Sequence, residues 1–202
     1  MKITRCGVIS FFLSVIILAC SGQKFSLGNC PTTLQSIATP SLTLANLLGV
    51  WREYARNKSP SQHSWRCATY TITLITTDSR YAVTVGGRKK ITSTPLRVAG
   101  TIDVGGSTGT AATVTTFLTF TLTDGVYNKA LKYYIVGLDN ANPTYLALYA
   151  CSNLGIGKLE SAILLVRAGV TDANVRAGVQ ALAQNGFPAT SLYFNFQTDC
   201  IL

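Results

Sequence analysis

The chain has 202 residues, 48% of them hydrophobic and 12% charged, with a formal net charge of +9. That length gives one ordinary domain with a sizeable core and excludes two comfortable ones. Its basic residues are scattered apart from Arg88-Lys89-Lys90 and form no aromatic-interleaved stripe, which argues against nucleic acid and makes the triplet a solvated hairpin tip.

In chain order, Lys2 and Arg5 precede the apolar run Val8 to Ala19, and small residues follow, the layout of a cleaved secretory signal. The run is 12 residues, too short to cross a bilayer, so residues 1–21 are expected to be removed and 22–202 to form a secreted, extracellular domain without stable membrane insertion. Ile17-Leu18-Ala19-Cys20 fits a lipoprotein box less well, because its leucine stands one place late. Removal lowers the charge to +7, with 15 basic residues against 8 acidic ones, and leaves Cys30, Cys67, Cys151 and Cys200. Four cysteines in a secreted domain suggest two disulfides in one of three connectivities, and no pair has the spacing of a zinc site, so no metal is expected.

Residues 22–46 read as irregular, with Pro31 and Pro40. Leu47-Leu-Gly-Val-Trp-Arg-Glu-Tyr-Ala-Arg56 reads as a kinked start to a half-buried strand, with Gly49 allowing a tight turn beneath Trp51. Asn57-Lys58-Ser59 is a glycosylation sequon, weakened by Pro60, in a loop that also holds the only histidine, His63. Strands are then predicted at 66–76, 80–85, 94–104, 112–123, 131–138, 144–151 and 159–167, rich in threonine and other β-branched residues that suit outward faces. With the Trp51 strand these make eight, joined by connections short enough for antiparallel neighbours. Thr171 can cap a helix whose Val175, Val179 and Leu182 share a face and which ends at Gly186 and Pro188; a short strand at 191–197 follows. The expected fold is all-β, an eight-stranded antiparallel up-and-down barrel with one C-terminal helix packed outside, wide enough to hold one small apolar ligand.

Catalysis finds little support. Gly105-Gly106-Ser107-Thr108-Gly109 matches a hydrolase pattern, but it lacks a following helix and a later histidine, and a glycine-rich hairpin tip explains it better. A lone loop histidine is ordinarily solvated, which sets His63 aside as a haem ligand, and the eight acidic residues are dispersed. No catalytic residue, enzyme activity or required cofactor is assigned.

Gly49-Val50-Trp51-Arg52-Glu53, a loose match at Leu138-Asp139-Asn140 through Tyr145, and Arg167 closing Ile163-Leu164-Leu165-Val166-Arg167 resemble the three motifs of lipocalins. Gly28-Asn29-Cys30-Pro31, Arg66-Cys67 and Leu148-Tyr149-Ala150-Cys151 are similar to the apolipoprotein D and insect bilin-binding (insecticyanin-like) branch, over Gly28 to Cys200. The resemblance implies Arg167 stacked on Trp51 as structural residues at a closed barrel end, and disulfides Cys30–Cys151 and Cys67–Cys200. The chain departs from that branch at Asn140-Ala141-Asn142-Pro143-Thr144, which is expected to reshape the barrel mouth.

Counting by twos from Trp51 and Arg167, both inward by resemblance, places Glu53, Ala55, Ile163 and Leu165 inside. Apolar phase adds Tyr81, Val83, Leu118, Phe120, Leu131 and Tyr133 as cavity-lining candidates. A buried Glu53 needs a partner, for which Tyr149, a backbone amide or a polar ligand group are the candidates. The expected function is a secreted carrier of one small hydrophobic ligand, with a bilin such as biliverdin as the cargo the resemblance suggests. The alternatives are a fatty acid, sterol or carotenoid as cargo, or a secreted interaction protein whose basic loops bind an acidic partner. The sequence assigns no oligomeric state.

Overall fold

A computed structural model of the chain describes residues 23–35, 44–58, 65–75, 80–89, 92–105, 117–123, 128–139 and 142–195. The expected leader, His63, Lys90, the Gly106–Gly109 part of the glycine-rich tip, and Cys200 lie outside the described residues. The strands are β1 (Lys24–Leu27), β2 (Gly49–Asn57), β3 (Trp65–Leu74), β4 (Arg80–Lys89), β5 (Pro95–Gly105), β6 (Phe117–Thr123), β7 (Asn128–Leu138), β8 (Tyr145–Asn153), β9 (Gly157–Val166) and β10 (Leu192–Phe194). One α-helix, α1 (Asp172–Gln184), follows β9, and 3-10 turns occupy Leu44–Leu47 and Ala189–Ser191.

Each of β2 to β9 pairs antiparallel with its neighbour in sequence, and β2 pairs with β9, so the eight strands close into a barrel. The β2–β9 ladder runs from Arg52↔Val166 to Arg56↔Ile163 and stops. From there β9 takes β1 as its partner (Lys24↔Glu160 to Leu27↔Gly157). β10 adds to β2 (Leu192↔Asn57 to Phe194↔Ala55), beyond the residues that pair with β3. These two short strands cover edges that would otherwise present unpaired N–H and C=O groups.

The side chains sort into two cores. Inward residues of all eight barrel strands form one, reaching from Leu47 and Trp51 to Phe120, Tyr133 and Ala150. Val136, Tyr145, Ala147, Tyr149, Ala162 and Leu164, on the outer face of β7 to β9, form the other with Val175, Ala181 and Leu182 of α1 and with Phe187. Strand β8 therefore has both faces covered, and 145–150 reads as an unbroken apolar run rather than an alternation. From Leu118 on, β6, with no helix over it, alternates leucine or phenylalanine with threonine. Thr171 begins α1, its side chain accepting from the Asn174 amide.

Candidate functional site

One end of the barrel is a plug built on Trp51. Gly49 sits at φ +105°, a conformation L side chains rarely adopt, and a Cβ there would lie 3.2 Å from Arg167 Nη1. The turn this permits brings the Leu44–Leu47 segment beneath the barrel, where Leu47 is fully buried and its carbonyl accepts from Trp51 Nε1 at 2.8 Å. Arg167 lies over the indole with Cζ 4.1 Å from the ring centroid. Its Nη2 donates to the carbonyls of Asn46 (2.7 Å) and Leu48 (2.9 Å), and its Nε to that of Pro143 (3.1 Å). The β7–β8 turn that holds Pro143 is thus part of the closed end. The expectation that this turn shapes the mouth is corrected: Asp139 accepts from the Thr144 amide and hydroxyl and from Asn174 Nδ2, fastening the turn to α1.

Above the plug the interior is mostly apolar, with one polar cluster inside it. Glu53 is fully buried, and the Arg56 guanidinium grips it with two parallel bonds, Nε to Oε1 and Nη2 to Oε2, each 2.5 Å. Tyr70 Oη donates to Glu53 Oε2 at 3.1 Å, and Asn195 Nδ2 reaches Oε1 at 3.5 Å. Beside this pair runs a second chain: Ser161 Oγ donates to Asn57 Oδ1 at 3.1 Å, which leaves Tyr133 Oη to donate to Ser161 Oγ at 2.8 Å. Phe120 lies between the two tyrosines, edge-on to Tyr70 (6.4 Å) and to Tyr133 (5.6 Å). Burial on its own would lower the Arg56 guanidinium, but the Glu53 carboxylate beside it wins and holds it above its ordinary value. Burial, reinforced by Glu53, pushes the Tyr70 phenol well up; burial also raises Tyr133, against the opposing bond from Ser161, so both hydroxyls keep their protons at neutral pH.

Of the residues singled out in the sequence, Tyr81, Val83, Leu118, Phe120, Tyr133 and Leu165 are buried in the interior core, with Leu131 and Ile163 half-buried against it. Two placements are corrected. Ala55 belongs to the outer core, because the β2–β9 register slips between Glu53 and Ala55, so Arg56 rather than Ala55 follows Glu53 inward. Tyr149 is also in the outer core, edge-on to Phe187, with its hydroxyl donating to Glu160 at 2.6 Å, and it is no partner of Glu53. Asn57 is 1% exposed, and its Oδ1 also accepts from the Ala162 amide where the β2–β9 ladder has ended; a glycan there would require this side chain to leave the barrel wall. Cys30 and Cys151 are bonded, with Cα atoms 5.8 Å apart. Cys67 is disulfide-bonded too, and its expected partner Cys200 lies outside the described residues.

Reading by alternation missed Arg56, Tyr70 and Ser161. Ser161 continues the inward count Leu165, Ile163, and Tyr70 shares a face with Ile72, so both carried a signal; Arg56 carried none, because only the bulge turns it in. Among the described residues no three His, Cys, Asp or Glu side chains gather as a metal site, and no helix is long and apolar enough to cross a membrane. A separate cleft of about 270 Å³ lies on the outer wall between residues 30–34 and Tyr134, Tyr149 and Cys151.

No family model and no curated protein matches the sequence. Solved structures do match over nearly its whole length. Insecticyanin from the tobacco hornworm Manduca sexta superposes with a TM-score of 0.66 at 14% identity, over 88% of this chain and 91% of that one. Apocrustacyanin C2 gives 0.65 at 16% identity, over 87% and 92%. The chain has the lipocalin fold. Crustacyanin H1 of the lobster Homarus americanus, another lipocalin neighbour, gives 0.65 at 17% identity over 87% and 91%. At these identities the likeness is one of fold.

Proposed function

We propose that the protein is a secreted carrier that encloses one small hydrophobic molecule in the lipocalin barrel, by burial rather than by bond-making chemistry. The observation that carries this reading is a closed barrel plugged at the Trp51 end, whose inward side chains are almost all apolar and include one hydrogen-bonded polar cluster. Burying about 300 Å² of apolar ligand surface contributes ~7 kcal/mol before ordering costs, close to the ~8 kcal/mol of a micromolar complex. Apolar area therefore supplies most of the affinity, and the polar cluster selects among ligands.

Linear tetrapyrroles are the cargo class we favour, on the resemblance of the motifs to the bilin-binding branch; carotenoids, sterols and fatty acids are the competitors. The Cys30–Cys151 disulfide suits an oxidising, extracellular setting. Native mass spectrometry of protein purified from its source, before and after organic extraction, tests the reading. One extractable ligand per chain is expected, with a visible absorption band if it is a bilin; a barrel that carries nothing and takes up no hydrophobic probe sinks it.

A second reading has a specific observation behind it. Lys58, Arg88 and Lys89 are exposed at the barrel end opposite Trp51, where acidic side chains are few among the described residues, as a surface for an acidic partner requires. Binding that weakens steeply with salt and is indifferent to cargo would favour it.

A further inference from the structure

We propose that the part of the ligand reaching the polar cluster is an uncharged hydrogen-bond donor, such as a hydroxyl or an amide N–H, and that the cluster discriminates against carboxylates; this rests on the carrier reading. Three observations lead there. First, the one interior guanidinium in the described barrel is held bidentately by the one interior carboxylate, so the pair has no net charge, and neither member acts as a lone counter-ion. An ionised ligand head buried beside it would be desolvated without compensation. Second, the tyrosine protons are committed: Tyr70 gives its own to Glu53, and Tyr133 gives its own to Ser161, which passes its proton on to Asn57. What the two phenol oxygens retain is lone pairs, and an approaching group must donate to use them. Third, both hydroxyls are on rings that flank Phe120 within the apolar core, so a donor that reaches them does so with an apolar body already buried. For a bilin this implies that the pyrrole or lactam N–H groups reach the cluster while the propionates stay toward water.

The test uses the mature chain and three probes of one skeleton: retinol, retinoate and protonated retinylamine, titrated by tryptophan fluorescence quenching at neutral pH. Retinol is expected to bind at least tenfold more tightly than either charged analogue, and the two charged analogues to lie within tenfold of each other. Retinoate binding as tightly as retinol, or more than tenfold tighter than retinylamine, overturns the inference and leaves the carrier reading standing. No binding by any of the three overturns both. Glu53→Gln releases Arg56 as a net cation, and in the folded variant the preference should move toward retinoate by at least tenfold; an unchanged ratio overturns the inference. Should Glu53→Gln fail to fold, the comparison of the three probes on the unaltered chain decides.

Discussion

Arg167 joins three separate pieces of chain at the closed end, the 46–48 segment, the β7–β8 turn and the face of Trp51. A guanidinium over an indole contributes about 0.5–2 kcal/mol, and each charge-assisted bond to a carbonyl adds on the order of 1 kcal/mol net. Arg167→Ala should therefore lose about 3–5 kcal/mol in urea unfolding, with Arg167→Lys in between because an ammonium lacks the planar fork. A loss no larger than that of an ordinary surface arginine would remove the plug from the account. Glu160 makes a different prediction, about pH. Burial alone would raise its carboxyl, yet hydrogen bonds from Lys158, Ser26 and Tyr149, with the Lys158 charge, outweigh this and hold it below the usual carboxylate range. The folded state thus holds this proton less tightly than the unfolded one. The stabilisation is complete above the unfolded pKa of about 4.3 and drains away as pH falls through the lower folded value. Glu160→Gln should be less stable than the parent at pH 7 and show a smaller drop between pH 7 and pH 3, measured as urea midpoints.

At the level of elements, the eight barrel strands and the helix were legible because each carries its own periodicity, and their order left antiparallel neighbours as the simplest pairing. Strand β1 was not, and the reason is physical. Its polar residues turn toward the outer core and are half-buried there, Lys24 on the Ser191 hydroxyl and Ser26 on Glu160, while Phe25 and Leu27 are exposed, the inverse of the usual alternation. Nothing local announces such a strand; it forms because β9 offers a free edge and because Cys30, three residues on, is fastened to Cys151 of β8. The phase inside the barrel was legible only as far as the first bulge, so Glu53 was placed and Ala55 misplaced. Tyr149 went astray because helix α1 buries the outward face of β8 and makes burial uninformative about side. The dependence of β1 on its tether can be measured. Cys30→Ser with Cys151→Ser opens a bridge between residues 121 apart, and should cost ~2–5 kcal/mol. Hydrogen exchange should then quicken at 24–27 and 157–160 while β4 and β5 keep their protection; uniform quickening would mean that β1 is integral to the global fold.

For the whole molecule, the two cores share strands β7 to β9 but divide the work: the inner one meets any ligand, and the outer one holds the wall that α1 braces. The wall meets the helix closely at Gly137, where a Cβ would stand 2.7 Å from Cβ of Ala181 and 3.4 Å from Cβ of Ala147. Neither contact can be relieved by a rotamer, since both partners are alanine methyls, so Gly137→Ala must lift the helix or bend the strand, at a cost of about 1–3 kcal/mol. Ala181→Gly removes the opposing methyl at a helix-propensity cost of about 1 kcal/mol, and combining it with Gly137→Ala should lose less than the two single changes together, the non-additivity that marks direct contact. Because the strain falls on the outer face, retinol affinity measured well below the melting transition should match the parent in all three variants, whereas Glu53→Gln should alter it. If Gly137→Ala weakened ligand binding as much as it weakened the fold, the wall would be transmitting strain between the cores, and the barrel would have to be treated as one mechanical unit whose interior is shaped by its helix.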